Sequence, residues 1–142
     1  MWLFRSGEDV LPDIVLYKYT KTRAGFNAAE FLNGFEGYLE TDCYQGYNTV
    51  PDIRRCCCFA HLRRYFIEAI PKGKELDYNC PAAHGVQYIN RLFDHERYST
   101  ARKHTYEQRN AYRLEKEKPV LYAFFNWLHS MLRKKEPILR RR

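Results

Sequence analysis

The sequence lacks any apolar stretch long enough to cross a membrane. Its longest uninterrupted apolar run is Val120 to Phe125, whereas a membrane helix needs about 20 such residues. Arg5 and Glu8 also interrupt the N-terminal region where a secretory signal would need a continuous apolar core. These absences argue against a membrane-embedded or secreted protein, and they predict a cytoplasmic location.

A cysteine pattern typical of a disulfide framework is also missing. Three of the five cysteines are consecutive, Cys56 to Cys58, and neighbours on a strand point to opposite faces, so Cys57 should face away from the other two. Cys58 with His61, and Cys80 with His84, offer four candidate zinc ligands, but their spacing differs from the paired-cysteine pattern of structural zinc sites. Reduced thiols that pack as small apolar side chains are the simpler expectation.

The composition is that of a globular protein with a basic end. The chain has 142 residues, of which 45% are hydrophobic, and a chain of this length buries about 68% of its unfolded surface. Residues 133–142 carry a net charge of +5 out of a total of +7, so the remainder is nearly balanced. Such a tail suits contacts with nucleic-acid phosphates, and it suits a solvated chain end equally well.

In the first part of the chain, hydrophobic patterning predicts a hairpin followed by a short helix. Trp2 to Arg5 and Ile14 to Tyr19 are typical of strands, and turn-forming residues separate them. Asn27 and Glu30 have the spacing of a capping box, and Gly34 can end the helix that they open.

The next stretch predicts a strand that ends on a carboxylate. Tyr38 to Thr41 alternates apolar and polar residues and brings Asp42 to its C-terminal end. A second strand over Ile53 to Phe59 and a helix from about His61 to Ile70 follow. The alternation of strands and helices favours a mixed sheet with flanking helices, an α/β fold.

On the helix from His61, the apolar residues share one face and Glu68 lies at its border. At roughly 100° per residue, the apolar face comprises Leu62, Tyr65, Phe66, Ala69 and Ile70, and the border comprises His61, Arg64 and Glu68. Glu68 could therefore approach the strand end that carries Asp42. The alternative is an exposed i, i+4 pair with Arg64.

The second half of the chain is predicted to be helical. A polar segment, residues 101–118, should form an exposed helix, and Pro119 occupies a plausible first helical position of the next one. Two apolar stripes recur at helical spacing: Val86, Ile89, Leu92 and Phe93, then Leu121, Phe124, Phe125, Leu128 and Leu132.

Two motifs identify a family resemblance. GYLETDCYQGYN (37–48) and CFAHLRRYFIEA (58–69) resemble the insertion sequence 66 family of transposases, and the resemblance extends from MWLFRSG through EKEKPVL. It implies a ribonuclease H-like catalytic core with an Asp, Asp, Glu triad. Matched residue by residue, Asp42 corresponds to the second aspartate and Glu68 to the glutamate. A turn-forming aspartate is the alternative for Asp42.

The resemblance also implies a reaction, a cofactor and partners. Transposases of this superfamily cut a DNA strand with water and join the freed 3′-hydroxyl to a target phosphodiester. Two Mg²⁺ ions about 4 Å apart, held by carboxylates, suit both displacements. DNA and further transposase chains are the implied partners. The candidate DNA contacts are His61, Arg63, Arg64, Arg140, Arg141 and Arg142.

The first catalytic aspartate of the family has no counterpart in this sequence. It lies in an Asp-Glu-Thr-Pro-like motif on a preceding strand, and Asp9 and Asp13 fall in or beside the predicted hairpin turn instead. We therefore expect a ribonuclease H-like core truncated at its first strand (1–72), a helical extension (73–132) and a basic tail (133–142). The chain is then an inactive part of a transposase or, alternatively, a non-catalytic DNA-binding or interaction remnant of a mobile element.

Overall fold

The computed structural model describes residues 1–7, 12–74, 77 and 79–134. The chain forms two compact units, Met1–His61 (unit 1) and a second that begins at Leu62 (unit 2). Unit 1 contains all the strands of the described residues, and unit 2 is helical. The predicted division into a core (1–72), a helical extension (73–132) and a basic tail (133–142) is a different kind of boundary, and it stays a prediction.

Unit 1 opens with the predicted hairpin, which the structure confirms. Strand β1 (Trp2–Arg5) pairs antiparallel with β2 (Val15–Lys18), with Trp2 opposite Lys18. Asp13 accepts a hydrogen bond from Arg5 at 2.6 Å, so it is held in an ion pair next to the hairpin. Asp9 lies outside the described residues.

The first helix, α1 (Phe26–Phe31), begins differently from the prediction. Gly25 is its N-cap and no side chain caps it, so the expected capping box of Asn27 and Glu30 is wrong. Gly25 packs closely on the backbone of Gly46, because a Cβ atom on Gly25 would lie 2.3 Å from the Gly46 backbone oxygen. Asn27 is buried inside the helix and donates to the backbone oxygens of Thr22 and Ala24.

Two parallel strands follow and carry the region of interest. Strand β3 (Gly37–Thr41) pairs with β4 (Ile53–Cys57), so that Thr41 lies opposite Cys57, and a 3₁₀ helix (Gln45–Thr49) lies between them in sequence. Both predicted strands are confirmed, but β4 ends at Cys57, and Phe59, predicted as its last residue, begins the next helix. The prediction of one mixed sheet needs correction. Within the described residues, β1 pairs only with β2 and β3 only with β4, so the strands form two separate two-stranded sheets.

A small aromatic core holds unit 1 together. Trp2, Ala28 and Val50 are buried at its centre. The Trp2 indole packs against the rings of Tyr44 and Tyr47 at centroid distances of 6.4 Å and 5.6 Å. Its N–H donates to the Thr20 hydroxyl at 3.0 Å, which satisfies the polar end of a buried indole. The hairpin, α1 and the 3₁₀ helix therefore share one core.

Helix α2 (Phe59–Ala69) has the predicted apolar face. Phe66 is 1% exposed, while Arg64 and Glu68 lie on the exposed side. Within unit 2, Phe66 packs against α3 (Pro81–Ala101), where a Cβ on Gly85 would lie 2.4 Å from its ring. Ile89 and Leu92 of α3 are buried, in agreement with the predicted stripe.

The polar segment 101–118 is not one exposed helix. Helix α3 ends at Ala101, and α4 (Tyr106–Tyr112) begins with a capping box formed by Thr105 and Gln108. A π-helical turn (Arg113–Glu117) then joins α4 to α5 (Lys118–Lys134) without a break. Pro119 is the second residue of α5, close to the predicted first position, where its missing backbone N–H is tolerated. The helix does not start afresh there, because the π turn precedes it directly.

The predicted apolar face of α5 is confirmed for Leu121, Phe124 and Leu128, which are buried or half-buried. Phe124 is fully buried, but Phe125 and Leu132 are 47% and 68% exposed. Phe125 is one position from Phe124 and so lies about 100° around the helix from it. Leu132 is seven residues after Phe125 and therefore lies on the same side of the helix as Phe125. Trp127 takes part instead, with its ring 6.0 Å from that of Phe124.

Candidate catalytic and nucleic-acid site

Asp42 follows β3 directly, and its carboxylate is oriented by the turn that it begins. One oxygen accepts a hydrogen bond from the backbone N–H of Tyr44 at 3.1 Å, and the other accepts one from the Arg23 guanidinium at 3.1 Å. Cys43, between Asp42 and Tyr44, adopts a left-handed conformation with φ of 65°. An aspartate that bonds its own backbone two residues on is typical of such a turn.

Arg23 covers this carboxylate from a loop before α1. Its guanidinium lies 4.5 Å from the centre of the Tyr44 ring, and the Tyr44 hydroxyl donates to the Arg23 carbonyl oxygen at 2.6 Å. The Arg23 side chain is 68% exposed. Arg23 was not among the predicted site residues, because no motif surrounds it and only the fold brings it to a residue 19 positions away.

Arg55 fastens the same turn from β4. Its side chain donates to the Thr41 hydroxyl at 3.1 Å and to the Tyr44 carbonyl oxygen at 3.0 Å, and it also bonds the Asn48 side chain. The end of β3 and the start of the 3₁₀ helix are thereby tied to one cation. The alternation of β4 gives no signal for this role, which sequence reasoning missed.

Tyr44 and Tyr47 are half-buried and pack in the aromatic core of unit 1. Their rings meet edge to face at 6.1 Å, and both contact Trp2. Burial raises the pKa of the Tyr47 hydroxyl, and the negative charge of Asp42 adds to the effect. Tyr47 thus stays protonated at neutral pH and presents a neutral side chain near Asp42.

The remaining predicted site residues lie on α2 or beyond it. Glu68 pairs with Arg64 at 3.9 Å, an i, i+4 contact with both side chains partly exposed, and both belong to unit 2. Arg63 donates to the Asn90 side chain at 2.6 Å. The structure thus keeps Arg63 and Arg64 in different surroundings. The pairing of Glu68 with Asp42 stays a prediction.

His61 and the tail complete the set. His61 belongs to unit 1 and is half-buried; within the described residues its Nδ1 atom is buried without a hydrogen-bond partner. Arg140, Arg141 and Arg142 lie outside the described residues.

The described residues do not by themselves build a metal centre. Across residues 1–7, 12–74, 77 and 79–134, no group of three or more His, Cys, Asp or Glu side chains is arranged to hold an ion. Two magnesium ions need more carboxylates than Asp42 alone supplies. In the same part of the chain, no helix has the length and apolar character of a membrane span.

Comparison with known proteins defines the class. The chain matches the family described as Transposase IS66 family over residues 1–139. It therefore belongs to the IS66 family of transposases. It is also 29% identical over 134 residues to the uncharacterized protein y4hP of Sinorhizobium fredii, a match that covers 82% of this chain and 24% of that protein. The chain thus spans about a quarter of that relative's length, and no solved structure matches it.

Proposed function

We propose that this chain supplies part of the catalytic core of a DNA transposase, in which Asp42 is one of the catalytic carboxylates. The observation that carries the proposal is the position of Asp42 directly after β3, in a parallel pair of strands. Functional groups of α/β proteins gather beyond the carboxyl ends of parallel strands. Membership of a transposase family implies that the group acts in transposition.

Glu68 is the second carboxylate of the proposal. Helix α2 begins soon after β4 ends, so the chain leads from the strand beside β3 directly to the helix that carries Glu68. Its ion pair with Arg64 is an exposed helix-surface contact, and such a pair contributes only about 0.2 to 0.5 kcal/mol. Breaking the pair with Arg64 would therefore cost little.

A ribonuclease H-like core would need one more strand. Among the described residues β1 pairs only with β2, and β3 only with β4. A strand that paired with both β1 and β3 would join them into one mixed sheet. By resemblance, the first catalytic aspartate lies on such a strand, and the 142 residues hold no Asp-Glu-Thr-Pro-like motif. We propose that a separate segment supplies this carboxylate and that Asp42 and Glu68 would hold Mg²⁺ with it.

DNA is the proposed partner. The Arg23 and Arg64 side chains are 68% and 59% exposed, so both guanidinium groups are accessible to phosphates, whereas Arg63 is engaged by Asn90. His61 and the basic tail complete the proposed contacts. Because such binding releases counterions, it should fall steeply between about 50 and 200 mM salt. Removal of Arg140 to Arg142 should abolish most of it.

One experiment tests the role of Asp42 without requiring activity. Mn²⁺, a paramagnetic substitute for Mg²⁺, is titrated into the isotope-labelled chain, and line broadening of backbone amide signals is followed by NMR. We expect broadening centred on residues 41–44 that Asp42→Asn removes. If Glu68→Gln also removes the Mn²⁺-induced broadening at residues 41–44, this result would support Glu68 as a ligand of the same ion. Broadening that Asp42→Asn leaves unchanged would refute the assignment and favour the non-catalytic DNA-binding alternative.

A second experiment tests the expected inactivity. The purified chain, Asp42→Asn and Glu68→Gln are incubated with DNA that carries the ends of the element and with Mg²⁺. We expect no nicking by any of them, because the third carboxylate is absent from the chain. Nicking by the unaltered chain that both substitutions abolish would contradict this expectation. Asp13, which pairs with Arg5, and Asp9 would then be the next carboxylates to replace.

A further inference from the structure

Four of the five cysteines lie in unit 1, and each sulfur has its own surroundings. The Cys58 thiol is hydrogen-bonded to Glu40, and the Cys56 thiol contacts the Arg54 carbonyl oxygen at 3.8 Å. Burial, together with an interaction with the Cys57 thiol, raises the pKa of the Cys43 thiol to about 11, and Cys57 ends the strand whose last residue lies opposite Thr41. Two thiols from different parts of the chain therefore face each other next to Asp42.

The backbone explains why these two cysteines meet. Cys57 ends β4 and lies opposite Thr41, the last residue of β3. In a continued strand, Cys43 would lie roughly 7 Å beyond Thr41. The left-handed conformation at Cys43, with φ of 65°, turns the chain there, and the Cys58 N–H donates to the Thr41 carbonyl oxygen at 2.8 Å, which holds the ends of β3 and β4 together. Arg55 holds the turn in place through Thr41 and Tyr44.

We infer that Cys43 and Cys57 form a reversible disulfide when a hydroperoxide oxidises the chain. Cys57 is exposed and Cys43 is half-buried, so Cys57 is the sulfur that the oxidant reaches first. Its thiolate attacks the peroxide O–O bond, which gives a Cys57 sulfenic acid and releases water or an alcohol. The Cys43 sulfur then displaces the hydroxyl group as water and forms the S–S bond. Two thiols lose two electrons in total, and the peroxide gains them.

The neighbouring cysteines cannot substitute for either member of the pair. Cys56 and Cys57 are adjacent on β4, and adjacent residues on a strand point to opposite faces of the sheet. Cys58 is directed to Glu40. The disulfide would connect the end of β4 to the turn that starts at Asp42. If Asp42 acts as proposed above, oxidation would fix the position of that turn, but the cysteine pair itself does not depend on that role.

Peptide mapping tests the inference. The chain is treated with hydrogen peroxide, remaining thiols are alkylated, and linked peptides are identified by mass spectrometry before and after reduction with dithiothreitol. The matched control is Cys56→Ser, next to Cys57 and also exposed. We expect a Cys43–Cys57 link in the unaltered chain and in Cys56→Ser. In the unaltered chain, which has five free cysteines, the number of free thiols should fall by two. Cys43→Ser and Cys57→Ser should lack the link.

Several results would overturn the inference. They are a link within the run Cys56 to Cys58, a link between two chains on a non-reducing gel, or conversion of Cys57 to sulfinic acid without any link. Circular dichroism checks that each serine variant folds. If Cys43→Ser does not fold, the maps of the unaltered chain and Cys56→Ser still decide the outcome, because both retain the pair.

Discussion

Replacing Phe124 by alanine should remove the central packing element of unit 2. The Phe124 side chain is 0% exposed, and its ring lies 6.1 Å from Phe66, 5.5 Å from Tyr88 and 6.0 Å from Trp127. Burial of a phenyl ring contributes about 2 to 3 kcal/mol. The rigid aromatic neighbours cannot collapse into the space left, so a cavity term of about 2 kcal/mol adds to it. We expect a loss of about 4 kcal/mol in the free energy of unfolding.

Urea denaturation, monitored by tryptophan fluorescence, can measure this loss of stability in unit 2 specifically. The chain has two tryptophans, Trp2 in unit 1 and Trp127 in unit 2. In a Trp2→Phe background, Trp127 alone reports the unfolding of unit 2. The midpoint for Phe124→Ala should move to lower urea with an unchanged slope, since a change in slope would indicate a different unfolded or native state.

The neighbouring phenylalanine is a matched control. Phe125 is on the same helix but is 47% exposed, so Phe125→Ala should cost about 1 kcal/mol or less. Equal losses for Phe124→Ala and Phe125→Ala would contradict the helix orientation described above. A loss below about 2 kcal/mol for Phe124→Ala would show that the core relaxes around the missing ring.

Two further substitutions test the packing and electrostatics of unit 2. Gly85→Ala places a Cβ 2.4 Å from the Phe66 ring, so we expect a cost of about 1 to 3 kcal/mol despite better helix propensity; Gly7→Ala, with no atom within 4 Å of its Cβ, should be neutral, and equal effects would contradict the close contact. Burial and the charge of Glu96 raise the pKa of Glu117 above its ordinary 4.5. Because the folded chain then holds this proton more tightly, stability from Glu117 is present below pH 4.5 and is lost as pH rises through the folded pKa. Glu117→Gln should therefore exceed the unaltered chain in urea midpoint at pH 7 but not at pH 4, and an equal difference at both pH values would exclude this titration.

Local patterns predicted most elements because each depends on nearby residues. The strands at Trp2 and Tyr38 and the apolar face of α2 follow from periodicity, which survives folding wherever one face is buried. The start of α1 was predicted wrongly, because Gly25 and not a capping side chain stands at its N-terminus, and the close approach of Gly25 to Gly46 is a tertiary contact. Within α5, Phe124 was placed correctly, but Phe125 and Leu132 are exposed, because adjacent residues on a helix lie about 100° apart and cannot both occupy the centre of one face.

The candidate site divides in the same way. The motif around Asp42 by itself indicated the candidate carboxylate and the family, since both depend on consecutive residues. Tertiary structure alone placed Arg23 and Arg55 on the turn and brought Cys43 to Cys57. These partners lie far apart along the chain, and side-chain contacts of that kind arise from strand register and loop conformation. Neither property is encoded in the spacing of the residues that meet.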